Sequence, residues 1–171
     1  MSTLKPQNTR ALARGAIIAA LYTALTVLLA PLSYGEVQIR FSEAFTLLPI
    51  LMPEAVPALL VGCLLSNILG GCSIFDIVFG SLATLLAAVW TQHTQHKWLA
   101  PLPPVLCNAV IVGAVISFEQ TGFTGAFAGA FAYNAVTVGV GEAIACYVLG
   151  GLLLTLLPKV PALRRQMPSC G

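Results

Sequence analysis

Charged side chains are scarce in this sequence. Only 8% of its 171 residues are Asp, Glu, Lys or Arg, while 58% are hydrophobic and the mean hydropathy is +0.91. Soluble domains carry about 25% charged residues, and most of this chain is therefore not a water-exposed surface. The composition predicts an integral membrane protein, and the length suits a single membrane domain over residues 1–171.

Several motifs of catalysis and metal binding are missing as well. The sequence has no G-x-x-x-x-G-K-[ST] loop, and we expect that it cannot drive ATP-powered transport alone. Its five cysteines show no C-x-x-C spacing, which argues against a metal site or a disulfide framework. His93 and His96 share a polar loop with Lys97, but we expect no metal there. These absences predict a protein that is not an enzyme and carries no cofactor.

Long apolar runs take the place of charge. A spanning helix needs about 20 apolar residues. The first run follows a basic N-terminus, as in a signal peptide, but it is long enough to span and no clear cleavage site follows. Two runs, 41–52 and 58–69, are short enough to be either thin spans or a re-entrant pair. We predict an all-α bundle of six transmembrane helices within residues 11–157, formed by the runs 15–31, 41–52, 58–69, 74–90, 104–118 and 125–157.

The basic residues indicate an orientation. Inner loops of membrane proteins carry an excess of Lys and Arg. If both termini are inside, seven of the eight basic residues fall on the inner side, and Arg40 is the exception. We therefore expect residues 1–10 and 158–171 to be cytoplasmic tails of a multi-pass protein of the plasma membrane.

The acidic residues sort in the opposite sense, and most map to outer loops or outer helix ends. The segment YGEVQIRFSEAF, residues 34–45, brings Glu36, Arg40 and Glu43 close together. Charged residues in a bilayer cost about 2.5–3.5 kcal/mol on insertion scales and usually face a cavity or a partner. We predict an acid-rich pocket that opens outward, with this segment as its lid and Arg40 paired with Glu43 or a neighbouring acid.

Polar side chains on the apolar runs provide the candidate ligand site. Asn134 and Glu142 are eight residues apart, and Asn108 and Glu119 eleven apart, so each pair shares one helix face. Amides and carboxylates that face one interior suit a small ligand rich in hydrogen-bond donors. Alternatively, the Asn side chains only bond neighbouring helices. The predicted substrate-binding residues are Arg40, Glu43, Asn67, Asp76, Asn108, Glu119, Asn134 and Glu142.

Small residues repeat every four positions along the first helix, in two parallel rows. The rows are Ala16, Ala20, Ala24 and Gly15, Ala19, Thr23, and the third helix has a similar row of Gly62, Ser66 and Gly70. Such rows let membrane helices approach closely. The spacing alone leaves open whether a row packs inside the bundle or against a partner.

Three stretches resemble a known family. The runs VQIRFSEAFTLLPILMPEAVPALLVGCLLSNILGG, DIVFGSLATLLAA and VGVGEAIACYVLG are similar to those of the QueT family of queuosine precursor transporters. These proteins are substrate-binding S-components of energy-coupling factor (ECF) transporters. The resemblance covers roughly residues 11–157.

The resemblance implies a six-helix bundle with both termini inside and a substrate pocket toward the outside. The row Ala16, Ala20, Ala24 would dock on a transmembrane coupling subunit, and two ATPase subunits would use ATP to supply the energy. The substrate would be 7-aminomethyl-7-deazaguanine or a related deazapurine, whose N–H donors and cationic aminomethyl group suit amides and carboxylates. Glu142 and Asn134 would then receive the purine-like edge. No nucleic-acid partner is expected.

Two other functions stay open. One is an S-component for another vitamin, such as riboflavin or thiamine, although a flavin favours more aromatic lining and fewer acids. The other is a small membrane enzyme or channel. An enzyme acting on lipid headgroups would place its acids and bases near the inner face, and a channel needs a polar stripe through its full depth.

Overall fold

The computed structural model describes residues 6–34 and 38–160, and every regular element within these residues is a helix. The all-α prediction is therefore confirmed for this part of the chain. In chain order the elements are α1 (Pro6–Leu28), α2 (Ala30–Ser33), a central 3₁₀ helix (Phe41–Ile50), α3 (Ala55–Leu69), a π-helical turn (Asp76–Gly80) continued by α4 (Ser81–Gln92), α5 (Leu102–Thr121), α6 (Phe127–Ala143), a π-helical segment (Ile144–Gly150), α7 (Gly151–Leu156) and a final 3₁₀ turn (Leu157–Lys159).

Three helical stretches are long and apolar enough to cross a membrane, namely Thr9–Leu28, Leu102–Thr121 and Phe127–Lys159. Three shorter apolar helices accompany them, at Phe41–Ile50, Ala55–Leu69 and Asp76–Gln92. Each of the six predicted runs thus forms a helix, and the number of complete spans remains a prediction. Within the described residues the first helix already includes Pro6, upstream of the predicted run 15–31.

The run 41–52 forms a 3₁₀ helix rather than an α-helix. Pro49 lies inside it, and proline cannot donate the backbone hydrogen bond that an α-helix needs. A 3₁₀ helix rises about 2.0 Å per residue, so these 10 residues extend about 20 Å, or about two thirds of a hydrocarbon core. Seven of them are buried, and the segment therefore lies at the centre of the bundle.

Helices α1 and α3 lie side by side and run in the same direction. The central 3₁₀ helix stands between them in the chain and leads it back to the end where α3 begins. A Cβ atom on Gly62 would stand 3.1 Å from the carbonyl oxygen of Ala19. Thr23 Oγ1 donates a hydrogen bond to the Gly62 carbonyl oxygen at 3.1 Å. The row Gly15, Ala19, Thr23 is therefore internal packing against α3.

The last helix packs against the central 3₁₀ helix through glycine. A Cβ atom on Gly150 would overlap the side chain of Leu47, at 1.9 Å from its Cδ1 atom. A Cβ atom on Gly141 would stand 2.0 Å from the carbonyl oxygen of Gln38. The chain that enters the 3₁₀ helix is therefore pressed onto the α6 backbone at Gly141, where a side chain would collide with the Gln38 carbonyl group.

Polar contacts mark the two ends of the bundle. An ion pair joins Arg14 to Glu54 where α1 and α3 begin. At the opposite end, Ser73 Oγ donates a hydrogen bond to the carboxylate of Glu119. Arg14, which we predict on the inner side, and Glu54 thus lie at the same end of the bundle.

Candidate ligand site

Buried polar side chains gather in the interior of this apolar bundle. Six of the eight predicted site residues are at most 5% exposed: Arg40, Glu43, Asn67, Asn108, Asn134 and Glu142. Asp76 is partly buried, and Glu119 is exposed. Ionisable and polar groups inside a membrane protein are costly and commonly serve function, and the buried six are therefore candidates for binding a ligand.

Glu43 lies at the centre of the group, on the first turn of the 3₁₀ helix. Its side chain is completely buried. The hydroxyl of Tyr22 on α1 donates a hydrogen bond to Glu43 Oε1, and Thr84 Oγ1 on α4 lies 3.5 Å from the same oxygen. The second oxygen, Oε2, has no hydrogen-bond partner among the described residues. Glu43 therefore has one oxygen held by the protein and one left open.

Two asparagine amides show the same incomplete pairing. Asn67 Nδ2 donates to the backbone oxygen of Asp76 at 3.2 Å, while Asn67 Oδ1 is buried without a partner in the described chain. Asn108 lies within hydrogen-bonding reach of both Glu43 and Glu142, although its Nδ2 atom makes no hydrogen bond of good geometry to any described residue. Leaving a buried polar atom unpaired costs about 1–3 kcal/mol. Such atoms point to a ligand that would complete them.

Glu142 supplies a second buried carboxylate from α6. The thiol of Cys146, one turn further on, lies 3.8 Å from Glu142 Oε2 and 3.5 Å from the backbone oxygen of Glu43. The Glu142 and Glu43 carboxyls are near enough to interact electrostatically with each other and with Arg40. The two carboxylates and one guanidinium therefore form a single charged group inside the bundle.

Arg40 does not form the direct ion pair with Glu43 that we predict. Its Nε atom donates to the Ser33 backbone oxygen at 3.3 Å, and its guanidinium lies over the Tyr34 ring, 5.2 Å from the centroid. These contacts turn the guanidinium toward the α2 turn. Glu36, the other neighbouring acid of the prediction, lies outside the described residues.

Tyr34 is itself held in place beside Arg40. Its hydroxyl donates to the Ser66 backbone oxygen at 2.8 Å, and burial raises the pKa of Tyr34 to about 12, so the phenol stays protonated and able to donate. The ring packs against Gly70, where an added Cβ would stand 2.6 Å from Tyr34 Cζ. The α3 row of small residues, like the Gly15 row, therefore packs inside the bundle.

Asn134 is separate from the Glu43 group. Its Nδ2 atom donates to Ser117 Oγ at 3.0 Å and to Gln120 Oε1 at 2.8 Å, and both acceptors belong to α5. Both amide hydrogens of Asn134 thus form hydrogen bonds to the neighbouring helix, which is the alternative role that we consider for the Asn side chains. Although Asn134 and Glu142 are both buried on α6, they belong to different clusters.

Asp76 and Glu119 form a further group at the end of the bundle that contains Ser73. Ser73 Oγ accepts a hydrogen bond from the Asp76 backbone N–H at 3.1 Å and donates to Glu119. The Asp76 and Glu119 carboxyls are near enough to repel each other. Asn108 and Glu119, which we predict on one face of α5, therefore serve different clusters.

Tyr22 is the most important side chain that the prediction omits. It is completely buried and holds Glu43 Oε1. Thr26, one turn later on the same helix face, bonds to Ser42 Oγ at 2.6 Å. A tyrosine and a threonine four residues apart in an apolar helix were a usable signal, since polar groups on one helix face often meet a common partner. Only the fold shows that this partner is the 3₁₀ helix.

The second row of small residues on α1 is open. Ala16, Ala20 and Ala24 are all exposed. Grooves between α1 and α3 flank the row, one of about 470 Å³ that includes Ala16 and one of about 450 Å³ that includes Ala20 and Ala24. The row Ala16, Ala20, Ala24 is therefore exposed, whereas the adjacent row Gly15, Ala19, Thr23 packs toward α3 at the edge of the same grooves.

The chain was compared with known proteins. A family model described as QueT transporter matches residues 12–159. The "Queuosine precursor transporter QueT" of Lactococcus lactis subsp. cremoris (strain MG1363) is 34% identical over 85 residues, which is 48% of this chain and 50% of the relative. The aligned part thus spans about half the length of this curated relative. No solved structure matches the chain. Because the family model covers most of its length, the chain belongs to the QueT transporter family.

Proposed function

We propose that this transporter is the substrate-binding S-component of an ECF system and imports 7-aminomethyl-7-deazaguanine or a closely related deazapurine. The family and the name of the L. lactis relative support a transporter of a queuosine precursor. The particular substrate is our inference from this relative and from the buried site, and the ECF architecture is our inference from the resemblance of the sequence to S-components.

The pattern of unpaired atoms carries the proposal. Among the described residues, Glu43 Oε2 and Asn67 Oδ1 receive no hydrogen bond of good geometry, and Asn108 Nδ2 donates none. A guanine-like edge offers N–H donors next to a carbonyl acceptor, which is the complementary set. Ligand binding would thus complete three buried groups whose desolvation is otherwise uncompensated.

The charge of the site suits a cation. Two carboxylates, Glu43 and Glu142, interact with one guanidinium, that of Arg40. When both carboxylates are ionised, this group carries one excess negative charge, which is costly inside a membrane. The aminomethyl group of the deazapurine supplies the missing positive charge. We assign Glu142 to the ammonium and Glu43, Asn67 and Asn108 to the purine edge, in place of the predicted role of Asn134, whose amide hydrogens are already bonded.

Binding to the purified chain tests this assignment. Hydrogen bonds to charged groups contribute about 1.5–3 kcal/mol, so Glu43→Gln and Glu142→Gln should each weaken binding of 7-aminomethyl-7-deazaguanine about 10- to 100-fold. Glu54→Gln is the matched control, because Glu54 lies at the far end of the bundle and pairs with Arg14. Isothermal titration calorimetry on protein in lipid nanodiscs measures all three variants.

A neutral analogue separates the two carboxylates. The cyano analogue, 7-cyano-7-deazaguanine, has the same purine edge without the cation. Glu142→Gln should leave its affinity nearly unchanged, while Glu43→Gln should weaken it as before. Wild-type affinity of both variants for the cationic ligand would refute the site, and preferential binding of riboflavin or thiamine would favour the alternative S-component.

We further propose that the outward row Ala16, Ala20, Ala24 docks on a transmembrane coupling subunit served by two ATPase subunits. The exposure of this row supports the proposal, since small residues allow close approach of a partner helix. The chain itself contains no phosphate-binding loop of the P-loop type. Energy would therefore come from ATP bound elsewhere in the complex.

We also propose a multi-pass protein of the plasma membrane with six spans and both termini cytoplasmic. The distribution of basic residues supports this orientation. The polar site then lies nearer the outer end, and Asp76 and Glu119 belong to its outer wall. The segment that includes Arg40 would close the pocket from outside.

A further inference from the structure

Tyr22 has a role that no sequence pattern assigns to it. It belongs to α1, yet its hydroxyl reaches across to Glu43 on the central 3₁₀ helix. Its side chain is among the largest that are completely buried in the described chain. A tyrosine in this position is both a packing residue and a hydrogen-bond donor. The hydrogen bond that it donates bears on ligand binding.

Tyr22 is the main donor to Glu43 Oε1. Thr84 Oγ1 also approaches this oxygen, at 3.5 Å, but the same hydroxyl lies closer to the Gly80 backbone oxygen, at 3.2 Å. A hydroxyl has one hydrogen to donate, and the shorter contact takes it. The orientation of the Glu43 carboxylate therefore depends on Tyr22.

The ring of Tyr22 is itself rigidly seated. A Cβ atom on Gly62 would stand 3.0 Å from Tyr22 Cβ and 3.1 Å from Tyr22 Cγ, so the ring root lies directly on the α3 backbone. The main chain of Glu43 is held as well, because its N–H donates to the Arg40 oxygen at 2.9 Å and its carbonyl accepts from Thr46 Oγ1 at 2.5 Å. The donor, Tyr22 on α1, and the acceptor, Glu43 on the 3₁₀ helix, are thus each held in place by separate contacts.

We infer that Tyr22 is a positioning residue for ligand binding: by occupying Glu43 Oε1 it directs the unpaired Oε2 toward the ligand's N–H donors. The inference rests on the proposed function, in which Glu43 accepts from the purine edge. Tyr22 does not touch the ligand in this arrangement. Its contribution is the preorganisation of the carboxylate, which reduces the ordering that binding must supply.

A double-mutant cycle tests the inference. Tyr22→Phe removes the hydroxyl and keeps the ring, and it should weaken 7-aminomethyl-7-deazaguanine binding about tenfold. In the Glu43→Gln background the same change should have little further effect, because Tyr22 acts through Glu43. Tyr133→Phe, which alters an exposed tyrosine, is the control and should bind as the wild type does.

The outcomes separate this inference from the proposed function. If Glu43→Gln weakens binding but Tyr22→Phe has no effect, or has its full effect in both backgrounds, the positioning role is wrong and the ligand site stands. If Glu43→Gln binds with wild-type affinity, the proposed site fails, and the positioning role fails with it.

A measurement on the wild-type protein covers the case in which Tyr22→Phe does not fold. The hydroxyl proton of a buried tyrosine bonded to a carboxylate exchanges slowly and is visible by NMR when the residue is labelled. This signal should persist when the deazapurine is bound. Its loss on ligand addition would show that the ligand replaces Tyr22 on Glu43, which overturns the inference.

Discussion

Neighbouring alanines on α1 provide the sharpest separation between folding and assembly. Ala19 is 7% exposed and packs toward α3, whereas Ala20 is exposed and lines an outward groove. The same substitution to leucine adds the same volume at a buried position and at an exposed one. One change should therefore damage the fold and the other the contact with a partner.

Ala19→Leu should destabilise the chain itself. Ala19 is 7% exposed, and its carbonyl oxygen would stand 3.1 Å from a Cβ on Gly62, so the two helices already approach closely where the larger side chain would be added. Overpacking of this kind costs about 1–3 kcal/mol. The variant should show a lowered apparent Tm and reduced ligand binding when the isolated chain is measured in nanodiscs.

Ala20→Leu should leave the isolated chain intact. Exposed substitutions usually change stability by no more than about 0.5 kcal/mol, and so Tm and ligand affinity should match the wild type. If a partner helix packs on the row, overpacking by about 1–3 kcal/mol weakens association about 5- to 150-fold. Co-purification with the coupling module and uptake of the deazapurine should both be lost.

A third alanine serves as the control for bulk. Ala132 is exposed on α6, and Ala132→Leu should preserve folding, binding, co-purification and uptake. If Ala20→Leu instead lowers Tm and ligand affinity while the complex still assembles, the outward row is internal packing, and the docking proposal is refuted.

The remaining predictions concern topology and the segment that precedes the 3₁₀ helix. A membrane-impermeant maleimide added from outside should label Cys72. Labelling of Cys72 only from the inside would invert the predicted orientation. Cys170, which lies outside the described residues, should be protected from the outside reagent. Because burial raises the pKa of the Cys72 thiol and the thiolate is the reactive form, labelling should accelerate as pH rises from neutrality, and a rate independent of pH would contradict this. Gly141→Ala should lower both Tm and ligand affinity, since its Cβ would stand 2.0 Å from the Gln38 oxygen and displace the segment leading to Arg40. The matched change Gly139→Ala, whose Cβ would meet only Ala109 Cβ at 3.4 Å, should have little effect, and equal effects of the two would show that the segment is not held at Gly141.

The helical class and most of the buried polar residues could be predicted from the sequence. Apolar runs of sufficient length can satisfy their backbone in a membrane only as helices or closed barrels, so composition and run length suffice for a helical bundle. Glu43 and Glu142 stood out because a carboxylate in an apolar run is rare and must be compensated. Asn67 and Asn108 were selected as polar side chains in apolar runs, and the structure brings Glu43, Glu142 and Asn108 into neighbouring positions.

Helical spacing was not sufficient to group the polar residues. Asn134 has the right spacing to share a face with Glu142, yet its amide bonds to α5. Glu119 has the right spacing to Asn108, yet it bonds to Ser73. The spacing of residues in the sequence determines which side chains share a face of one helix. A cluster also depends on which neighbouring helices lie at the same depth in the bundle, and spacing carries no information about those helices.

Tertiary structure alone decided how the small residues and the two charges of the opening segment are used. Two rows on α1, each with a spacing of four residues and offset from each other by one, look alike in the sequence, and only the position of α3 packs one of them and leaves the other exposed. Arg40 and Glu43 are three residues apart, which allowed an ion pair, but the α2 turn offers Arg40 the Ser33 oxygen and the Tyr34 ring, while α1 brings Tyr22 to Glu43. The sequence by itself determined which groups had to be compensated inside the membrane, because their desolvation cost is a property of each side chain. The partners that compensate them come from other helices, and their identity depends on packing over long separations in the chain.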